Sequence, residues 1–269
     1  MYSGQILGNK YKIIEVIGYG GTSKVYLAEN LALGNMWAIK AISKDCSWYL
    51  NGINELQALK NLSHPMLPRI ADYLEDETAS YIVMDYFPGV NLLDYIRDNG
   101  PVDQQQLIQW TSELIDVLSY LHSRRPPVIY RDMKPGNIIV SSDNRLRLID
   151  LGTVRYKKEE KTEDTVYIGT QGYAAPEQYG DGMSDERTDY YNLGMTLVHI
   201  STGVHPGKLM SQNIKDSLKK TGISKRLTEF ILRLVNPDPQ KRPHNFQELA
   251  ELFENEVRQN KSSFFNYKK

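Results

Sequence analysis

Along the first third of the chain, apolar residues come in short runs rich in β-branched and aromatic side chains. Tyr11–Ile17 and Lys24–Ala28 read as strands with a glycine-rich turn between them. Met36–Ile42 follows the turn dipeptide Gly34-Asn35 and reads as a third strand. Ile53, Leu56, Leu59, Lys60 and Leu62 then recur at helical spacing, ending near His64-Pro65. Two further strands are expected around Leu67–Tyr73 and Ser80–Tyr86, and Pro88-Gly89 breaks the second of them.

Beyond that break the period becomes helical. Between Leu107 and Leu121, positions 107, 108, 110, 114, 115, 118 and 121 form an apolar stripe with a polar back. Helical patterns return at Asp189–Ser201, Ser211–Lys220, Leu227–Val235 and Phe246–Val257. Short strands at Asn137–Val140 and Leu146–Ile149 flank the turn Ser142-Asp143-Asn144, and the polar stretch Arg155–Thr165 reads as an exposed loop. A strand-rich part followed by a helix-rich part predicts an α+β fold of two lobes with a cleft between them. The expected division is a small β-rich N-lobe with one main helix over 1–85, a hinge over 85–89 and a larger helical C-lobe over 90–258. Residues 259–269 are expected to form a loose tail.

Composition narrows the classes. The 269 residues suffice for a substantial core, and 41% hydrophobic with 24% charged residues is a globular balance. The formal charge of −1, from 32 basic and 33 acidic side chains, speaks against nucleic acid or an anionic membrane surface as the main partner. Cys46 is the only cysteine, so neither an internal disulfide nor a cysteine zinc cluster can form, which fits a reducing cytoplasm. Met1–Lys10 lacks a signal-peptide core, and no apolar run reaches membrane-spanning length. The expected location is cytoplasmic, with the cytosolic domain of a longer membrane-anchored protein left open.

The candidate chemistry lies in a few dense motifs. Gly18-Tyr-Gly20-Gly21-Thr-Ser-Lys-Val25 sits between two predicted strands, where glycines let backbone amides approach phosphate oxygens. Alone it is equally well read as a hairpin turn. Ala38-Ile39-Lys40 places a cation near the end of an apolar strand, and Glu55 lies on the helix that follows. The cluster Ile129-Tyr-Arg-Asp132-Met-Lys134-Pro-Gly-Asn137-Ile138, followed by Leu148-Ile-Asp150-Leu-Gly152, brings carboxylates and an amide together beside two short strands. Such hard oxygen donors suit magnesium bound jointly with substrate phosphates.

From about Tyr11 to Val257 the order and content of these motifs resemble the protein kinase family. The resemblance implies a kinase fold and transfer of the γ-phosphoryl group of ATP to serine or threonine hydroxyls of proteins, the chain itself included. It implies ATP with Mg2+ as cofactor, Mn2+ being a substitute, and protein substrates as partners, with a homodimer for autophosphorylation in trans left open. By the resemblance Lys40 would hold the α- and β-phosphates and pair with Glu55, and Asp132 would orient the substrate hydroxyl. Lys134 would reach the transferring phosphate, and Asn137 and Asp150 would hold metal. Ile17, Val25 and Ala38 would roof the adenine, Ile139 would form its floor, and Met84 would stand behind it. Backbone groups of Asp85 and Phe87 would bond the base. Ala175-Pro176-Glu177 matches the end of the activation segment, so Glu177 would pair with Arg242 and Asp189 would brace the catalytic loop. Thr170 would form the wall that accepts the substrate residue. Thr162 and Thr165 are candidate phosphosites, with Arg131 as the cation that would meet them.

Three positions depart from the family pattern: Ser23 replaces a third loop glycine, Tyr130 a histidine and Leu151 a phenylalanine. None removes a group needed for phosphoryl transfer. Tyr-Arg-Asp at 130–132, Leu-Ser-His-Pro at 62–65 and Leu-Pro-Arg-Ile at 67–70 resemble bacterial relatives of the eukaryotic serine/threonine kinases. The opposing reading is a pseudokinase, a nucleotide-binding scaffold; its usual mark is loss of the phosphate lysine, the catalytic aspartate or the metal aspartate, and all three are present. A small-molecule kinase would share part of this machinery but would not need the Ala-Pro-Glu segment.

Overall fold

The computed structural model describes residues 1–20, 23–44, 60–150, 155–156, 169–179, 184–209 and 214–265, with the backbone alone at 155–156 and 256–265. Within it the chain divides into two compact units, Met1–Pro88 with Arg147–Gly152, and Gly89–Leu146 with Thr153–Lys269.

The first unit is built on a six-stranded antiparallel sheet. Its strands are β1 (Ile6–Leu7), β2 (Tyr11–Tyr19), β3 (Ser23–Asn30), β4 (Met36–Ser43), β5 (Ile70–Glu75) and β6 (Ala79–Asp85), in the spatial order β1-β2-β3-β4-β6-β5. Alternation along these strands buries side chains on both faces. One face gathers Tyr11, Ile13, Tyr26, Ala28, Ile39, Tyr81 and Val83. The other gathers Ala38, Ile42, Ile82 and Met84, with Val25, Ile70 and Tyr73 packed against them. Register shifts between Ile13 and Glu15 and between Val16 and Gly18 bend β2 as it approaches the glycine-rich turn. The helix expected around Ile53–Leu62 falls almost entirely outside the described residues.

The second unit holds β7 (Val90–Asn91), α1 (Leu92–Asn99), α2 (Gln104–His122), β8 (Val128–Ile129) and β9 (Ile138–Val140). The strand β10 (Leu146–Leu148) carries the chain out of this unit, and the residues from Arg147, Asp150 among them, belong to the first. After β11 (Arg155–Tyr156) come α3 (Glu186–Thr202), α4 (Ile214–Lys220), α5 (Lys225–Leu234) and α6 (Phe246–Phe265). Helix α3 is the axis of the unit: 13 of its residues are buried, and a capping box between Asp185 and Thr188 fixes its start. Gly194 lets α5 come close, because a Cβ there would meet Leu234 Cβ and Val235 Cγ1 at 2.7 Å. Gly89 is required for a similar reason, since its φ is 157° and a Cβ would overlap the carbonyl of Val140.

Two local expectations are corrected, and one element appears that no sequence pattern announced. Leu92–Asn99 is helical: Asn91 caps it by accepting from Leu93 N–H at 2.9 Å, a short element with little period to read. Arg155 and Tyr156, placed by their polarity in an exposed loop, pair antiparallel with Ile129 and Val128. The backbone of the expected loose tail is helical as far as Phe265, because α6 meets no glycine or proline to stop it.

Candidate active site

In the first unit the sheet register collects the expected nucleotide residues. Val25 lies opposite Lys40, Lys40 opposite Ile82, and Ala38 opposite Met84, so the alternation of β4 puts Ala38 and Lys40 on one face. Lys40 is 8% exposed, and its Nζ donates to Asp150 Oδ1 at 2.9 Å. Ile17 is more open, at 41%. Asp85 is clamped from outside: Arg69 Nε and the Arg69 N–H both donate to its Oδ2, at 2.8 and 3.0 Å, and Arg69 NH2 reaches Oδ1 at 3.2 Å. Arg147 stands over the ring of Phe87, 5.8 Å from its centroid. Gly21, Glu55, Leu59, Leu151, Thr162 and Thr165 lie outside the described residues.

In the second unit a buried loop carries the rest. Asp189, fully buried in the first turn of α3, accepts from Tyr130 N–H at 2.9 Å and Arg131 N–H at 2.7 Å. His122 Nε2 lies 2.8 Å from the same carboxylate. Arg131 has a left-handed φ of 72°, a conformation a long side chain adopts only where its surroundings impose it. The turn it creates presents Asp132. Around that carboxylate Thr170 Oγ1 donates to Oδ1 at 2.7 Å, Lys134 Nζ donates to Oδ2 at 2.7 Å, and Asn137 Nδ2 donates to Oδ2 at 3.0 Å. Lys134 Nζ also donates to Thr170 Oγ1 at 2.6 Å, closing a triangle. Asn137 Nδ2 further donates to Asp132 O at 2.9 Å, while its Oδ1 makes no hydrogen bond among the described residues. Ile139 sits on β9, held opposite Asn91 on β7.

The loop that brings Thr170 to Asp132 is anchored below. Arg242, with no side-chain exposure, forms a two-pronged pair with Glu177 at 2.6 and 3.0 Å, and Thr188 Oγ1 adds a bond to Glu177 Oε1 at 2.9 Å. Tyr173 OH lies 2.5 Å from His199 Nδ1, and its ring meets His205 edge-on. Burial raises the Tyr173 hydroxyl above its ordinary range. Burial, with His205 adding to it, depresses His199 to about 4, so the imidazole is neutral, and its tautomer sets which of the two groups donates in this bond. No motif announced His122 or His199, and the Leu-Pro-Arg-Ile motif named no partner for Arg69; each acts through a partner distant in sequence.

The sequence model of the family described as protein kinase domain matches residues 11–253. The chain is 31% identical over 267 residues to the serine/threonine-protein kinase PknB of Mycobacterium leprae, covering 91% of this chain and 42% of that protein. It is 27% identical over 270 residues to the serine/threonine-protein kinase PrkC of Bacillus subtilis, covering 96% and 41%. A probable serine/threonine-protein kinase of Clostridium acetobutylicum is 29% identical over 269 residues, covering 94% and 40%. The chain thus spans about two fifths of the length of the curated relatives it matches.

Proposed function

Because this chain belongs to the protein kinase family, we propose that it transfers the γ-phosphoryl group of ATP directly to serine and threonine hydroxyls of proteins, itself among them. The observation that carries this reading is the triangle of Asp132, Lys134 and Thr170. A carboxylate has about four acceptor positions. Three on Asp132 are filled, two on Oδ2 and one on Oδ1. The remaining position on Oδ1 is where a substrate hydroxyl would donate and be turned toward the phosphorus. Lys134 Nζ, tethered to both neighbours, supplies positive charge beside the transferring group without exchanging a proton.

Lys40 is the phosphate-holding cation, and its bond to Asp150 keeps it extended on the sheet face that carries Val25, Ala38 and Met84. Ile17, Gly18, Gly20, Gly21, Val25, Ala38, Met84 and Ile139 are assigned to nucleotide binding, with backbone groups of Asp85 and Phe87 bonding the base. Glu55 is assigned as a second partner of Lys40. Asn137 and Asp150 supply an amide oxygen and a carboxylate, the hard donors that Mg2+ takes and Mn2+ accepts. The unengaged Oδ1 of Asn137, in a residue only 6% exposed, fits that role. Bound magnesium would neutralise phosphate charge; the chain's own residues position the reactants.

The scaffold alternative has no observation in its favour, since Lys40, Asp132 and Asp150 are all present. Thr162 and Thr165 are proposed as phosphosites, a homodimer as the arrangement for autophosphorylation in trans, and the cytoplasm as the location. Among the described residues no helix is long and apolar enough to cross a membrane. The test is to incubate the purified chain with radiolabelled ATP, magnesium and a generic protein, and then map the labelled residues. Phosphoserine and phosphothreonine are expected; mainly phosphotyrosine, or equal labelling by Asp132→Asn, overturns the reading.

A further inference from the structure

Gln178 follows directly on the Ala-Pro-Glu segment, in the 3-10 turn Pro176–Tyr179, and is 5% exposed. Its Nε2 donates to the carbonyl of Arg131 at 2.8 Å. Its Oε1 accepts from Ala175 N–H at 2.8 Å and from Asn192 Nδ2 at 3.0 Å. Asn192, fully buried on α3, donates with the same nitrogen to Tyr173 O at 2.8 Å. One side-chain amide therefore joins the backbone preceding Asp132, the backbone following Thr170, and the central helix.

The bond to Arg131 bears on a residue that cannot hold its own conformation. Arg131 is left-handed, and its N–H is fixed by Asp189. Its carbonyl is the other end of the same strained unit, and Gln178 fixes that end. Asp132 is the next residue, so a rotation at Arg131 would swing the carboxylate off Thr170 and Lys134. The position also demands an amide. Donor and acceptor are needed in one neutral group, whereas a carboxylate would set negative charge against the Arg131 carbonyl and an apolar isostere would leave buried donors and acceptors unmet.

We propose that Gln178 is a positioning residue for phosphoryl transfer, its amide locking Arg131, and so Asp132, to the loop Thr170–Ala175 that faces the substrate. The proposal deepens the kinase reading and rests on it. It makes the acceptor carboxylate and the platform loop one mechanical unit, tied across a sequence separation of 47.

The test uses Gln178→Met and Gln178→Glu in the full chain. Both should lower peptide kcat roughly tenfold per nucleotide-binding site while ATP affinity stays within about twofold. The glutamate variant carries a signature that a merely structural role would not give. A protonated carboxyl can donate to Arg131 O and still accept from Ala175 and Asn192, so its rate relative to wild type should climb as pH falls from about 8 to 6. The ratio for Gln178→Met should stay flat. Amide hydrogen exchange at Arg131–Lys134 in Gln178→Glu, taken relative to wild type at the same pH, should be quickened at high pH and return toward the wild-type rate at low pH, whether or not a peptide is phosphorylated. Wild-type chain that labels no protein would sink the kinase reading and leave that exchange comparison to decide the positioning role. Exchange unchanged in Gln178→Glu, a flat ratio for it, or wild-type kcat in Gln178→Met overturns the proposal; if Gln178→Met does not fold, the glutamate ratio decides alone.

Discussion

Lys134 Nζ stands 2.7 Å from Asp132 Oδ2, with only Met133 between the two residues in the chain. The intervening Met133 side chain is fully buried, and Asp132 and Lys134 flank it in the loop between β8 and β9. Their separation of two residues brings the pair together, and each side chain is bonded also to Thr170 Oγ1.

Removing the carboxylate from this pair should separate chemistry from nucleotide binding. Asp132→Asn is expected to lower kcat by about a hundredfold to ten-thousandfold while nucleotide affinity holds. Lys40→Met should instead weaken nucleotide binding and turnover together. Titration calorimetry beside single-turnover assays distinguishes the two patterns.

Lys134 and Thr170 bond to each other as well as to Asp132, so their contributions should not add. Lys134→Ala and Thr170→Ala are each expected to slow peptide phosphorylation, and the double variant should lose less than the product of the two. A complete double-mutant cycle measures the difference. Strict additivity would mean that the triangle is not one unit during turnover.

The pair of Glu177 and Arg242 should matter to stability more than to chemistry. Arg242 is buried and donates also to Asn236 O, Pro237 O and Arg187 O, so losing the carboxylate strands a cation in the interior. Glu177→Gln is expected to cost about 3 to 5 kcal/mol. Urea unfolding at neutral pH gives the number, and a change below the measurement error would contradict the burial argument.

His199 predicts the acid limit of the second unit. Its folded pKa, about 4, lies below the ordinary 6.5, and the groups it meets are the Tyr173 hydroxyl and the His205 ring. Between those pH values the unfolded chain binds a proton that the folded chain refuses. Stability should therefore fall as pH drops from 6.5 toward 4, by up to about 1.4 kcal/mol per pH unit, with no such slope above 6.5. His199→Gln should flatten this window. The comparison is denaturant unfolding at several pH values, and parallel slopes for the two proteins would refute the assignment.

Phosphorylation at Thr162 or Thr165 would add roughly −1.5 to −2 charges to a lysine-containing stretch. The expected outcome is a modified threonine in active protein by mass spectrometry and lower activity in Thr162→Ala/Thr165→Ala. Full activity with neither residue modified would end the proposal.

What could be read from the chain alone was whatever covalent spacing already enforces. The strand expected over Met36–Ile42 already implies by its alternation that Ala38 and Lys40 share a face, and Asp132, Lys134 and Asn137 are close because they are close in sequence. The ion pair of Glu177 with Arg242 and the brace from Asp189 spanned longer gaps. They were anticipated only through the family resemblance, which carries tertiary information that periodicity does not. Elements of two residues, such as β7, β8 and β11, show no period at all, and pairing partners decide them. The same holds for the buried polar links. Nothing local joins Arg69 to Asp85, His122 to Asp189, Tyr173 to His199 or Gln178 to Arg131. A side chain's hydrogen-bonding capacity is written in its chemistry, but its partner is chosen by which segments packing brings within about 3 Å once water has been excluded.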